Sequence, residues 1–374
     1  MRVGIDITSI MYGRGVSRYT ANLIRSLIKI PDLDVSLFGS SLRQKEQLVQ
    51  FAQSLQPPLA STHFQSWPPK LLFYVWHLGF NSILSHDSKI EVFHSWDYLQ
   101  PPDMHLPLVS TIHDLAMLKY PDAAHPDLLK AHKKSWQILH DRHAHIITVS
   151  HAVKKDILER LDFAANHVHV VHSAVPREIK TAANKLSEEQ HEEIYQQLTN
   201  GRPYVLFVGT LEPRKNLSRL MKAWLPLQKE VDLLIVGAVG WDTTLDELPP
   251  TARLLGHQSD QNLSVLYTEA EALVYPSLDE GFGLPILEAF SFGTPVVTSN
   301  CGGMAEVAGN AAELVDPLSV ESIQHGIEVL LKEDSEARQV RLQRMIIRKQ
   351  MFTWKQTAQL TAAVYRQALQ DHIS

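Results

Sequence analysis

Residues 272–290 read Ala272-Leu-Val-Tyr-Pro-Ser-Leu-Asp-Glu280-Gly-Phe-Gly-Leu-Pro-Ile-Leu-Glu288-Ala-Phe290. The first six have the apolar, β-branched character of a buried strand, Gly281-Phe-Gly283 marks a turn, and Leu284-Pro285 opens a helix. Proline suits the first helical position, where its missing N–H costs nothing. A strand, a glycine loop and a helix N-terminus in succession make an anion site. Free backbone N–H groups and the positive end of the helix dipole face the ligand there. Glu288 is expected in the first turn of this helix, its carboxylate reaching the same pocket as Glu280. Phosphates on the backbone and sugar hydroxyls on carboxylates describe a nucleotide-sugar site. A plain turn, followed by a Glu that the dipole alone favours, accounts for the same residues.

Working outward, the pattern strand, loop, helix repeats along the chain. Strands are predicted at Val3–Ile7, Val35–Phe38, Ile90–His94, Leu108–Ile112, Ile146–Val149 and Val168–Val171. Helices are predicted at Val16–Ile28, Pro126–His143 and Ala152–Leu161. A polar stretch, Arg177–Gly201, precedes a second series. Its strands are Tyr204–Val208, Leu233–Val236, Leu273–Tyr275 and Val296–Thr298, with helices at Leu217–Leu227 and Pro285–Phe292. Such alternation predicts mainly parallel sheets covered on both faces. The expected organisation is two doubly wound, Rossmann-like α/β domains facing a cleft: 1–195, and 196–353, with the helix of about 354–374 closing the chain.

Composition fits this. A chain of 374 residues exceeds one ordinary core, and 44% hydrophobic with 20% charged residues describes a globular protein. The single cysteine, Cys301, excludes an intrachain disulfide and suits a reducing compartment. No apolar run approaches the ~20 residues of a spanning helix, and the N-terminus reads as a strand, so a cytoplasmic location is expected. The net charge of −6 speaks against nucleic acid as a partner. It falls entirely in residues 201–374, whereas residues 1–200 hold 16 of the 19 histidines.

A second phosphate-binding candidate is Gly209-Thr-Leu-Glu-Pro-Arg214-Lys215-Asn216, again between a strand and a helix. Arg can fork across two phosphate oxygens and Lys acts as a point charge. A solvated basic turn reads the same way. Gly13-Arg-Gly15-Val-Ser-Arg18 mimics a dinucleotide fingerprint but lacks its third glycine and starts too far after the strand. His113 closes a strand, at the rim where functional groups gather, and Asp114 is placed to orient its loop or ring.

These segments together resemble family 4 glycosyltransferases, retaining enzymes of the GT-B fold. The resemblance rests on Glu280 and Glu288 around Gly-Phe-Gly-Leu-Pro, with Gly13–Tyr19, Thr111–Leu115, Val149–Asp156, Gly209–Asn216 and Leu234–Gly237 in the same order. It implies that Arg214 and Lys215 hold the donor diphosphate and stabilise its charge as the glycosidic bond breaks. Thr210 stands where many relatives have Arg, which leaves the division of that role between Arg214 and Lys215 open. It implies further that Gly15 approaches the donor phosphates through its backbone and that His113 contacts the transferred sugar. Glu280 with the backbone of Gly281, Phe282, Gly283 and Leu284 would hold the sugar, and Glu288 the ribose. Gly209, Gly237 and Gly256 would line the donor site, and the last helix would cross back to the first domain.

Bacterial mannosyltransferases of O-antigen and exopolysaccharide synthesis are the most similar branch, which implies GDP-mannose as donor and a glycan or polyprenyl-linked saccharide as acceptor. A UDP-sugar, GDP-fucose, a sugar-nucleotide epimerase and a catalytically silent partner subunit stay open, with a nicotinamide oxidoreductase more remote. No metal or cofactor is expected. His140, His143 and His145 pass from helix to strand periodicity, so their rings need not converge, and His167 and His169 lie on a strand with His172 facing away. Asp32 and Asp34 read as an ordinary turn. The aromatic segment Trp67–Phe80 is read as core packing, with part of it, including Lys70, facing a membrane or lipid-linked acceptor.

Overall fold

The apolar runs become the buried strands of two separate parallel sheets. The computed structural model describes residues 1–13, 15–96, 99–120, 126–238 and 248–373, the side chains of Pro69, Lys70 and Pro126 excepted. The chain divides into one unit of residues 1–173 with 354–374 and another of 174–353.

The first unit begins with β1 (Arg2–Asp6), α1 (Gly15–Leu27), β2 (Asp34–Ser40), α2 (Lys45–Gln53), β3 (Ser61–Gln65), α3 (Pro69–His77) and α4 (Ile83–His86). It continues through β4 (Val92–Trp96), β5 (Leu108–Ile112), α5 (Ala116–Lys119), α6 (Pro126–Asp141), β6 (His145–Thr148), α7 (His151–Arg160) and β7 (Val168–Val170). Among the described residues the sheet order is β3-β2-β1-β4-β5-β6-β7, all parallel. Tyr19, Leu23, Ile24 and Leu27 form the buried face of α1, as the 3.6-residue period predicts. Ser150 caps α7 by accepting from the N–H of Val153 at 3.1 Å.

The second unit runs α8 (Arg177–Ala183), α9 (Glu188–Thr199), β8 (Tyr204–Val208), α10 (Leu217–Trp224), β9 (Asp232–Val236), β10 (Ala252–Gly256) and α11 (Asp260–Glu269). There follow β11 (Ala272–Tyr275), α12 (Leu284–Phe292), β12 (Val296–Ser299), α13 (Gly302–Ala308), β13 (Glu313–Val315), α14 (Val320–Leu331) and α15 (Ser335–Gln350). Its parallel sheet has the order β10-β9-β8-β11-β12-β13. The chain then returns to the first unit as α16 (Trp354–Ile373), which packs on α1, β4, β5 and β6. The division between units falls at 173/174 and not at 195/196, because the polar stretch forms α8 and α9, both of which pack on α11.

Each sheet reverses its strand order once, between β1 and β4 in the first and between β8 and β11 in the second. At such a switch point the loops at the strand carboxyl ends diverge and leave a crevice for a ligand. In the second unit the two loops concerned are 209–216, after β8, and 276–283, after β11. They are the two segments that sequence reasoning singled out.

Candidate functional site

Backbone geometry closes the floor of the second unit's site. Gly209, Gly237 and Gly256 lie at the carboxyl ends of the neighbouring strands β8, β9 and β10. The Gly237 N–H donates to the Gly256 carbonyl at 2.9 Å, and the Gly209 N–H to the Val236 carbonyl at 2.9 Å. Gly237 has φ +154°, and a Cβ there would sit 1.8 Å from the Gly209 carbonyl oxygen. Only glycine permits that approach.

The loop after β8 forms a turn of 3₁₀ helix, Pro213–Lys215, and ends at Asn216 in the left-handed region, φ 62°. The Asn216 side-chain amide donates to the carbonyls of Pro276 (2.9 Å) and Pro317 (2.7 Å). The N–H of Leu278 donates to the Arg214 carbonyl at 2.8 Å. These bonds tie the two switch-point loops together before any ligand arrives.

On that scaffold Arg214, Lys215 and Glu280 converge. Arg214 lies 2.9 Å and Lys215 2.6 Å from separate oxygens of the Glu280 carboxylate. Arg214 also meets Glu212 at 2.5 Å and donates to the Asp279 carbonyl at 2.6 Å. Lys215 donates to the Tyr275 hydroxyl at 2.8 Å, with its ammonium 5.1 Å from the centre of that ring. Burial alone would raise the Glu280 carboxyl, but Lys215 and Arg214 hold it down to about 2. Burial likewise works against charge on Lys215, and Glu280 overrides it, so the ammonium titrates above its ordinary range. Burial, reinforced by Glu280, pushes the Tyr275 hydroxyl up to about 12. All charges of the cluster are therefore in place at neutral pH. An ammonium has three donors, and two of those on Lys215 are engaged by Tyr275 and Glu280. The third can meet an anion.

α12 opens differently from the sequence expectation. Gly283 is its N-cap at φ +97° and the helix begins at Leu284. Pro285 thus takes the second helical position, and Glu288 lies beyond the first turn. The N-cap carries no side chain, Pro285 has no N–H and the N–H of Ile286 donates to the Gly283 carbonyl at 3.0 Å, so Leu284 is the helical residue whose N–H the cap leaves open. The Glu288 carboxylate is buried on the α12–α11 side, accepting from the Tyr267 hydroxyl at 2.9 Å. Phe282 is buried against Phe352, with ring centres 5.7 Å apart. Gly281 lies under α13, where a Cβ on Gly303 would meet its carbonyl oxygen at 2.5 Å.

In the first unit His113 follows β5. Its ring stacks parallel to Trp96 (6.2 Å) and meets Tyr19 edge-on (4.7 Å). Its Nε2 atom is buried without a hydrogen bond, and burial lowers its pKa to about 4. Asp114 accepts from the N–H of Ala116 at 2.9 Å and so fixes the turn into α5. Gly15 is the first residue of α1, and a Cβ there would meet nothing within 4 Å. Arg14, between the loop glycines, lies outside the described residues. Sequence reasoning missed Glu212, Tyr275 and Asn216. Tyr275 ends the predicted strand directly before the loop, which is the signal that could have found it.

Two Rossmann-like units, one with a cation cluster at its strand-order switch, define the GT-B class of glycosyltransferases. Sucrose-phosphate synthase from Thermosynechococcus elongatus superposes with a TM-score of 0.72 at 19% identity, over 99% of this chain and 100% of that one. HepE of Anabaena, in complex with UDP and glucose, does so with 0.69 at 17% identity, over 98% of this chain and 100% of that one. The chain belongs to the glycosyltransferases: residues 13–178 match the family described as Glycosyltransferase Family 4, and residues 189–346 match Glycosyl transferases group 1. In sequence it is 29% identical to O-antigen chain mannosyltransferase B of Escherichia coli, over 94% of this chain and 96% of that protein.

Proposed function

We propose that the chain transfers mannose from GDP-mannose to a hydroxyl of a glycan or polyprenyl-linked saccharide, with retention of anomeric configuration. The observation that carries this reading is the convergence of Arg214 and Lys215 on Glu280 at the switch point of the second unit. In this reading the donor diphosphate takes the third donor of Lys215, the guanidinium of Arg214 and the N–H of Leu284 at the start of α12. Those groups stabilise the charge that develops as the glycosidic bond breaks, without a metal. Glu280 with the Gly281–Leu284 backbone holds the sugar, Glu288 the ribose, and the departing phosphate oxygen accepts the acceptor proton. For His113 and Gly15 the proposed contacts to sugar and phosphate rest on the family resemblance. Mannose is supported by the E. coli relative's name. HepE, which holds UDP and glucose, keeps a UDP-sugar as the second reading.

We place the enzyme in the cytoplasm, at the inner face of the cytoplasmic membrane. Among the described residues no helix is long and apolar enough to cross a membrane. Leu72 and Trp76 of α3 join the core, whereas Leu71, Tyr74 and Leu78 at helical spacing, with Phe80 beyond the end of α3, are 47–70% exposed. That apolar stripe supports peripheral contact. The side chain of Lys70 lies outside the described residues.

The test is a thermal-shift screen of GDP-, UDP-, ADP- and TDP-sugars, followed by transfer assays with labelled donor and NMR of the product anomer. Selective stabilisation by GDP-mannose and an α-linked product are expected. Interconversion of a sugar nucleotide without acceptor would point to an epimerase, and binding without turnover to a silent subunit.

A further inference from the structure

A corner of the first unit's sheet gathers three imidazoles whose spacing along the chain does not join them. β6 and β7 are parallel neighbours, with Ile147 opposite His169. His145 at the start of β6 therefore meets His167, directly before β7, and His169 in the middle of it. The ring of His145 stacks on that of His167 at 4.5 Å and lies edge to edge and nearly coplanar with that of His169, with centres 5.2 Å apart. The last turn of α16 adds Asp371, whose Oδ2 lies 3.2 Å from Nε2 of His145, with side-chain exposures of 43% and 3%. This Nε2 is buried, and its contact with the carboxylate does not meet the geometry of a hydrogen bond. The other ring nitrogen, Nδ1, lies 2.9 Å from Nε2 of His169.

We propose that His145, His167 and Asp371 bind one divalent transition-metal ion of the zinc class, with His169 orienting His145. Candidate ligand atoms of these three residues lie within 4.8 Å of one another. Two ligands bonded to a tetrahedral ion at about 2.0–2.1 Å are about 3.3 Å apart. The His145–Asp371 pair already has that separation. An oxygen and a ring nitrogen that share an ion sit at this separation without a hydrogen bond between them, as here. Donation from Nδ1–H of His145 to Nε2 of His169 leaves the lone pair of Nε2 for the ion. Metal-bound histidines hold their second N–H in this manner. The stacked ring of His167, half-buried in a surface turn, must swing to bring its nitrogen to bonding distance, and water fills the fourth position. Imidazole with carboxylate selects zinc, cobalt or nickel over magnesium or calcium. The ion is structural in this proposal: it pins the end of α16 to the sheet. It stands apart from the donor site and from the expectation that transfer needs no metal.

The experiment uses the full chain, untagged and stripped of metal by chelator, titrated with Co²⁺ at pH 7.5, with zinc displacing the cobalt. One equivalent with the visible absorption of a four-coordinate site is expected, and at least tenfold weaker binding in Asp371→Ala and in His167→Ala. Both side chains are exposed enough for these variants to fold, which circular dichroism checks. His140→Ala is expected to bind as the wild type does. No saturable one-equivalent binding, or unchanged affinity in both Asp371→Ala and His167→Ala, overturns the proposal.

Discussion

The two units share a fold but bury different polar groups beneath the carboxyl ends of their strands. In the first, His94 bridges the Tyr365 hydroxyl (2.6 Å) and Thr111 (2.8 Å), and His113 lies against Tyr19 and Trp96. Burial holds these imidazoles down to about 3 and about 4, so both are neutral at pH 7. In the second unit the equivalent depth is occupied by the Arg214–Lys215–Glu280 cluster, fully charged. A buried imidazole and a buried ion cluster answer acid in different pH windows. The comparison teaches that one chain can carry two acid sensitivities on a single architecture.

The largest effect is expected from Lys215→Ala, which leaves Glu280 and Tyr275 buried with one partner fewer. Breaking a buried pair from one side costs about 3–5 kcal/mol, read by denaturant unfolding. Initial rates of transfer should fall by roughly 10²–10³-fold. Survival of full activity would remove the cluster from the proposed chemistry.

Acidification separates the units directly. The folded-state pKa values of His94 and His113 lie below the ordinary 6.5, so the unfolded chain binds more protons between that value and about 4. Their contribution is complete above pH 6.5 and lost as pH falls toward 4 and 3. At pH 5 each imidazole costs on the order of 2 kcal/mol. Glu280, held at about 2 from 4.5, contributes above pH 4.5 and loses that contribution only as pH falls toward 2. Hydrogen exchange at pH 5.0 should therefore show early opening of residues 1–173 with 354–373. Equal opening of 174–353 would break the comparison.

Two smaller changes sharpen it. Tyr365→Phe removes the hydroxyl beside His94 Nδ1 and should cost about 1–2 kcal/mol, with faster exchange in α16 and β4. Arg214→Lys keeps the charge but loses the fork, so a rise of about tenfold in KM for the donor with little loss of stability is expected.

Much of this architecture was legible because central strands announce themselves. Tyr204–Val208 is a continuous apolar run and Leu108–Ile112 an apolar, β-branched one interrupted at Ser110; both lie mid-sheet and fall where the pattern placed them. The strands left unseen, β3, β10 and β13, all lie at sheet edges. An edge strand such as Ser61-Thr-His-Phe-Gln65 buries too little to need an apolar run. At the site, Arg214, Lys215 and Glu280 were legible from their types and their loops. Glu212 and Tyr275 were not, since pairing across a switch point is set by strand order. The register of β6 and β7 hid the histidine corner for the same reason.

One feature of the fold reaches into synthesis. The bond between His94 and Tyr365 joins residues 271 positions apart, with the whole of the second unit between them. On the ribosome, residues 174–353 can complete their own core as soon as they emerge, while the earlier-made unit waits for α16. Until then the buried side of α1 is exposed, and a nascent chain stalled before Trp354 would offer that greasy flank to chaperones.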